Sequence, residues 1–364
     1  MISLRLHGFH RGLDACFAEV NGLEAVAHYG DWISEYSALH ETAGVIDLSF
    51  RGRVCLTGND RQRFLNGQVT NNVKDLPPGQ GCYAALTTAK GKMQSDLNIY
   101  CLPDELLLDF EPGLTETIAA RLDKYIIADD VQVVDVAADY GLLSVQGPSA
   151  EEVLKKFGVG DLPDMPMNFT TMNNATLGEM YFMNNARTGT RGWDCFIPTS
   201  TLAAAADRLI AATKEVGGRA NGWQAMETAR IEAGIPRFGI DMDESNFPPE
   251  TGIEERAVSY SKGCYIGQEV IARIRTYGQV AKTLRGLRLA DDLKALPTRA
   301  DKLYRGDKEI GYVTSALASP ALRSNIALGY VRREHNQIGT ELTVRTGEGE
   351  SPVKVVPLPF KVLS

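Results

Sequence analysis

The chain has 364 residues and a formal net charge of -8 at pH 7. That length exceeds what one hydrophobic core organises, so two or more cooperating lobes are expected, and the acidic balance argues against generic binding to a phosphate backbone and hence against direct nucleic-acid binding. Six cysteines, at positions 16, 55, 82, 101, 195 and 264, include no CxxC pair. Neither a zinc ribbon nor a self-contained cluster motif is visible, and a reduced, cytoplasmic setting fits best. The first residues lack a continuous apolar run and no later run is long enough for a bilayer, so no membrane partner is expected.

In chain order, His7 and His10 come first, with no further nearby ligand to make a metal site. A helix is expected after Asp31, with Trp32, Ile33, Tyr36 and Leu39 at helical spacing, ending before Gly44. Residues 44–73 alternate apolar stretches with turn residues and predict strand, turn, strand, a Gly-Asn-Asp turn and a short helix. Residues 82–109 are again strand-rich, folded back at a turn containing Gly91. Asp96 lies at the far end of that hairpin, flanked by Met93, Leu97 and Ile99, where spacing alone makes it a polar residue on the wet face of a half-buried strand.

A helix over residues 115–126, strands around residues 131–136 and 141–146, and a further helix follow. Ser149 with Glu152 three residues on makes a capping-box pattern for that last helix. The stretch Arg187–Pro198 carries Thr190 and Asp194 in a glycine-containing loop and strand. Helices are expected over residues 201–217 and 223–234, the second stopped by Gly234 ahead of Pro236 and bearing Arg230 near its end. Asp241, Asp243 and Glu244 lack the glycine and terminal glutamate of a calcium loop, so no metal is expected there.

Lys262–Glu269 reads KGCYIGQE. Gly263 and Gly267 leave the backbone free for left-handed angles and for close approach of another surface, so Cys264 is presented rather than hidden. Lys262, together with a helix beginning at Gln268, would favour its thiolate form. Arg273 and Arg275 fall on that helix, which Gly278 closes. From Val280 the chain changes to short strands joined by tight turns, the pattern of an antiparallel barrel.

The octapeptide closely resembles the signature of the YgfZ-type family of folate-binding proteins that support assembly and repair of iron–sulfur clusters. Those proteins share a fold with the glycine-cleavage T-protein, an aminomethyltransferase. The resemblance to the wider superfamily includes Gly44, Asp47 and Ser49, the segment following Val145, residues 229–250 and residues 311–320. It implies an α+β, three-lobed, ring-like T-protein fold. Residues 1–280 would form a folate-binding region of two intertwined α+β lobes, and residues 281–364 a C-terminal antiparallel β-barrel.

The same resemblance implies tetrahydrofolate as cofactor and iron–sulfur enzymes or cluster-assembly proteins as partners. It implies Cys264 as the essential thiol with Lys262 tuning it, Asp96 acting near the reactive nitrogens of the folate, and Arg230 at the folate site. Tyr265, Thr190 and Asp194 complete the implied folate-binding set. T-proteins carry a glutamate where this chain has Thr190, and a neutral hydroxyl cannot supply two charged acceptors. The expectation is therefore an accessory factor for iron–sulfur proteins, with aminomethyl transfer onto tetrahydrofolate as the alternative.

Overall fold

The computed structural model describes residues 2–278 and 280–361. By internal contact the chain divides into two units. The first takes the residues up to Ala84 together with Asp96–Ala229, and the second takes Ala85–Ser95 and the residues from Arg230 onward.

In the first unit a six-stranded sheet has the order Phe169–Asn174, Gly178–Asn184, Gly192–Pro198, Tyr140–Gln146, Gly44–Asp47, Arg219–Asn221. All its pairings are antiparallel except the last, where Arg219–Asn221 runs parallel to Gly44–Asp47. Helices Ala150–Phe157 and Leu202–Glu215 bury Val153, Leu154, Phe157, Ala205 and Leu209 with the sheet residues Val145, Trp193 and Cys195. These apolar positions recur at helical spacing on one side and strand spacing on the other, which is what lets the two layers share a core.

Helix Trp32–Glu41 begins as expected, with the Asp31 side chain accepting from the Ser34 amide at 3.2 Å. Helix Ala150–Phe157 also starts at the expected residue, but the capping box does not form. Ser149 holds φ -94° and ψ 11° rather than an extended N-cap geometry, and its side chain makes no capping bond. Its amide is instead fixed by the Thr42 carbonyl at 2.8 Å. The helix over residues 115–126 is shorter than expected, at Thr115–Asp123.

A second sheet has the order Gly81–Thr87, Met93–Cys101, Leu106–Phe110, Gly52–Thr57, Gln132–Asp135. Leu106–Phe110 is buried along its whole length although it contains Asp109.

The second unit contains the expected barrel, closed in the order Lys282–Leu289, Ser324–Arg332, Lys308–Ser319, Lys302–Arg305, Glu341–Thr346, Gly349–Val356 and back to the first strand. Leu287, Leu303, Ile310, Val313, Val331, Val344 and Val355 fill its interior. The α+β class and the C-terminal barrel are thus as the sequence implied. Among the described residues no helix is long and apolar enough to cross a membrane.

Candidate active site

The first unit holds a buried lattice of charge. Arg51 donates through Nε to Asp109 Oδ1 at 2.8 Å and through Nη1 to Glu111. Arg187 donates through Nη2 to Asp109 Oδ2 at 2.7 Å and through Nε to Asp194 at 2.9 Å. Asn98 adds a third donor to Asp109, at 2.9 Å. These side chains are almost wholly buried, and charges survive there only because each is met by opposite charge and hydrogen bonds. The two guanidinium groups overcome the cost of burial at Asp109 and hold its carboxyl well below the usual carboxylate range.

Asp96 sits beside this lattice on the strand Met93–Cys101, half-buried, and accepts a hydrogen bond from the Tyr83 hydroxyl at 2.7 Å. Burial, reinforced by the negative charge of Glu111, pushes its carboxyl up to about 6, against the opposing pull of the Tyr83 hydroxyl and of Arg51. Two carboxyls a few residues apart on neighbouring strands therefore differ sharply in proton affinity. Asp109 stays ionised, while Asp96 can take up and release a proton near neutral pH, the property asked of a general acid or base.

Asp194, in the implied folate-binding set, is fully buried and occupied. It accepts from Ser144 Oγ at 2.8 Å, Asn185 Nδ2 at 2.9 Å and Arg187. Thr190 is half-buried on the preceding loop, with its hydroxyl 3.0 Å from that of buried Thr188 and 3.5 Å from the Leu39 carbonyl. Hydrogen bonds and ion pairs link Glu111, Arg51, Asp109, Arg187 and Asp194 in one network, and Thr190 joins it at Asp194 through Thr188, Gln146 and Ser144; Asp96 feels that network through the charges of Glu111 and Arg51.

In the second unit Arg230 is buried in a clamp of its own. It pairs with Asp241 and donates to the Ile235 carbonyl at 3.2 Å and to Ser315 Oγ at 3.3 Å. Asp241 also accepts from Thr314 and Ser315 hydroxyls, both at 2.7 Å, so the guanidinium ties the segment following its helix to the barrel strand Lys308–Ser319.

Of the octapeptide's two glycines only Gly267 takes the expected role; Gly263 has no positive φ, and a Cβ there would meet nothing within 4 Å. Gly267 has φ +90°, and a Cβ there would fall 2.6 Å from the Thr88 carbonyl oxygen, so only glycine lets the loop approach this closely. Thr87 Oγ1 donates to the Ile266 carbonyl at 2.6 Å and fixes the approach. Helix Gln268–Tyr277 then starts where expected and ends at Gly278, φ +72°. Cys264 is exposed. Lys262 is buried, its ammonium 5.0 Å from the centre of the Tyr265 ring, and burial raises the Tyr265 hydroxyl to about 12. Arg273 pairs with Glu269 at 2.7 Å, and Arg275 lies over the Tyr260 ring at 3.8 Å.

The residues that organise the first unit's site, Arg51, Asp109, Glu111 and Arg187, were not among the sequence candidates. A signal existed for one of them. An aspartate within the apolar run Leu106–Phe110 must be either exposed or paired, and a strand with no wet position leaves only pairing.

Residues 6–262 match the family model described as the GCVT N-terminal domain, and residues 282–361 match the glycine cleavage T-protein C-terminal barrel domain. The chain is similar to an aminomethyltransferase of Rubrobacter xylanophilus, at 30% identity over 98% of this chain and 93% of the relative. It is similar also to an aminomethyltransferase of Halalkalibacterium halodurans, at 31% identity over 90% of this chain and 88% of the relative. The crystal structure of the glycine cleavage system aminomethyltransferase T from Bartonella henselae shares the fold, with a TM-score of 0.89 over 99% of this chain and 98% of the other at 21% identity.

These findings correct the functional expectation. The accessory-factor reading rested on eight residues around Cys264 and on Thr190 in place of a glutamate, whereas similarity to aminomethyltransferases runs along nearly the whole chain and both of its family-matched parts. The match supports the transferase alternative and no role in iron–sulfur assembly. The chain belongs to the glycine-cleavage T-protein family.

Proposed function

We propose that this protein is an aminomethyltransferase that moves a one-carbon unit onto tetrahydrofolate. The observation that carries the reading is the end-to-end correspondence with aminomethyltransferases, with neither the N-terminal nor the barrel part missing. Tetrahydrofolate supplies the nitrogen that accepts the one-carbon unit. The chain's contribution is an acid–base group and its alignment. Asp96, with proton affinity raised to about 6, would hold or move the proton at the reacting nitrogen, and the Tyr83 hydroxyl holds the carboxylate in place at 2.7 Å. General acid–base help of this kind is worth roughly a hundredfold to ten-thousandfold in rate.

The residues present fit such a group, with one departure. Thr190 offers a hydroxyl where an acid would pair with the pteridine's donor edge, so the folate would be held through fewer charge-assisted bonds. The test is transfer by the purified protein supplied with glycine-cleavage partners and tetrahydrofolate. One-carbon-loaded folate should form, and Asp96→Asn should reduce kcat by at least about a hundredfold. Absence of transfer by the unmutated protein, under conditions where a known T-protein turns over, would overturn the reading.

A further inference from the structure

Strand register arranges the charge lattice in rows. Asn98 pairs with Asp109, and Asp109 pairs with Arg53 on the strand beyond. Side chains alternate along a strand, so the next residues on the same face lie two positions away. Carried just past the ends of strands Leu106–Phe110 and Gly52–Thr57, the same registers would set Asp96 opposite Glu111 and Glu111 opposite Arg51, and the Arg51–Glu111 ion pair agrees with that extension. Glu111 thus lies between a carboxyl that titrates and a guanidinium that cannot. It is buried, and Arg51 Nη1 donates to it.

We propose that Glu111 is a positioning residue for the transfer reaction, a negative charge that Arg51 holds in the row beside Asp96. Arg51 keeps it in register by bridging Glu111 and Asp109, with Nε 2.8 Å from Asp109 Oδ1. The charged and titratable groups around Asp96 include Glu111, Arg51 and Tyr83, with Asp109, Arg53 and Arg187 in the adjoining row. Tyr83 and Arg51 favour the carboxylate, so Glu111 is the neighbour whose charge opposes them. A like charge on the adjacent strand disfavours the ionised form of its neighbour.

The catalytic part of this inference rests on the transferase reading, but its physical part is measurable without turnover. In the full-length protein with its aspartate side-chain carboxyls carbon-13 labelled, the Asp96 resonance is identified by its loss in Asp96→Asn and followed against pH by NMR. In Glu111→Gln, where the amide oxygen still accepts from Arg51, the Asp96 midpoint should fall by roughly one pH unit. Glu111→Asp, which retains the charge, should recover most of that fall. If the glutamine variant does not fold, the unmutated protein with labelled glutamate carboxyls gives the second measurement. The Glu111 resonance should then move with the midpoint of Asp96. An Asp96 midpoint unmoved or raised by Glu111→Gln, or a Glu111 resonance blind to Asp96, overturns the proposal. In the transfer assay the acidic limb of kcat/KM should shift with the NMR midpoint. Absence of turnover in the unmutated protein would count against the function while the titration still decides the role of Glu111.

Discussion

Replacing Asp96 by asparagine should make the protein more stable while making it inactive. The carboxyl rises from its ordinary 3.8 to about 6 in the folded chain. At about 1.4 kcal/mol per pH unit, the ionised form then costs the native state roughly 3 kcal/mol at neutral pH. Asp96 is half-buried, so this is an upper bound. The sign follows from the raised folded-state affinity. Stability from the protonated group is fully present below the unfolded value near 3.8, declines as pH rises, and is lost once pH passes about 6. Asparagine keeps an oxygen to accept from Tyr83 and carries no charge, so it escapes the loss. Urea unfolding of both proteins between pH 4 and 7.5 should show a stability difference that opens between about 4 and 6 and is flat above. Other carboxyls titrate in both proteins and cancel in that difference. Equal pH dependence in the two, or a variant less stable at pH 7, would refute the argument that Asp96 is held under electrostatic cost for the sake of function.

Asp109→Asn should act in the opposite direction, costing about 3–5 kcal/mol at neutral pH because it leaves Arg51 and Arg187 undercompensated in the core. The stabilisation that Asp109 provides is present above the ordinary carboxylate range and lost as pH falls, so acid unfolding should begin at higher pH in the variant. Gly267→Ala places a side chain at φ +90° and 2.6 Å from the Thr88 carbonyl. Amide exchange over residues 262–269 should therefore quicken while the barrel stays protected. Thr190→Glu should tighten tetrahydrofolate binding by about tenfold in calorimetry, the value of one charge-assisted hydrogen bond. Cys264→Ser should leave aminomethyl transfer unchanged, and iodoacetamide should label exposed Cys264 and Cys16 before buried Cys55, Cys101 and Cys195, read by mass spectrometry.

Local signals in the sequence were sufficient for most elements. Asp31 ahead of a periodic apolar run, the glycines at 234 and 278, and the strand-and-turn rhythm after residue 280 each act through neighbours a few residues away, and each element formed where expected. Ser149 shows the limit of that reasoning. Its pattern matched a capping box, but the Thr42 carbonyl, distant in sequence, took its amide. The site was less legible for the same reason. Arg51, Asp109, Glu111 and Arg187 meet only because the strand Leu106–Phe110 and the residue after it, the bend before strand Gly52–Thr57 and a separate loop converge, and nothing near any one of them names its partners. The octapeptide misled differently. It describes a well-built loop with an exposed thiol, but the chemistry of one loop is weaker testimony than similarity along almost the entire chain.

The closed barrel carries a consequence for how this region tolerates changes in length. Lys282–Leu289 pairs with Ser324–Arg332 on one side and Gly349–Val356 on the other, so the ring has no free rim along which a strand could slide. An inserted or deleted residue within a strand would turn inward-facing Leu303 or Val344 toward water and would demand a matching slip in every other member of the ring. The two bulges already present, at Leu303/Tyr304 and Val313/Ser315, take up the irregularity this geometry allows. Length variation should therefore collect at the hairpin tips, around Gly306 and Gly347, where an added Cβ meets open space. A scanning insertion library selected for folded protein would return clones clustered at those tips and gaps along the staves between them.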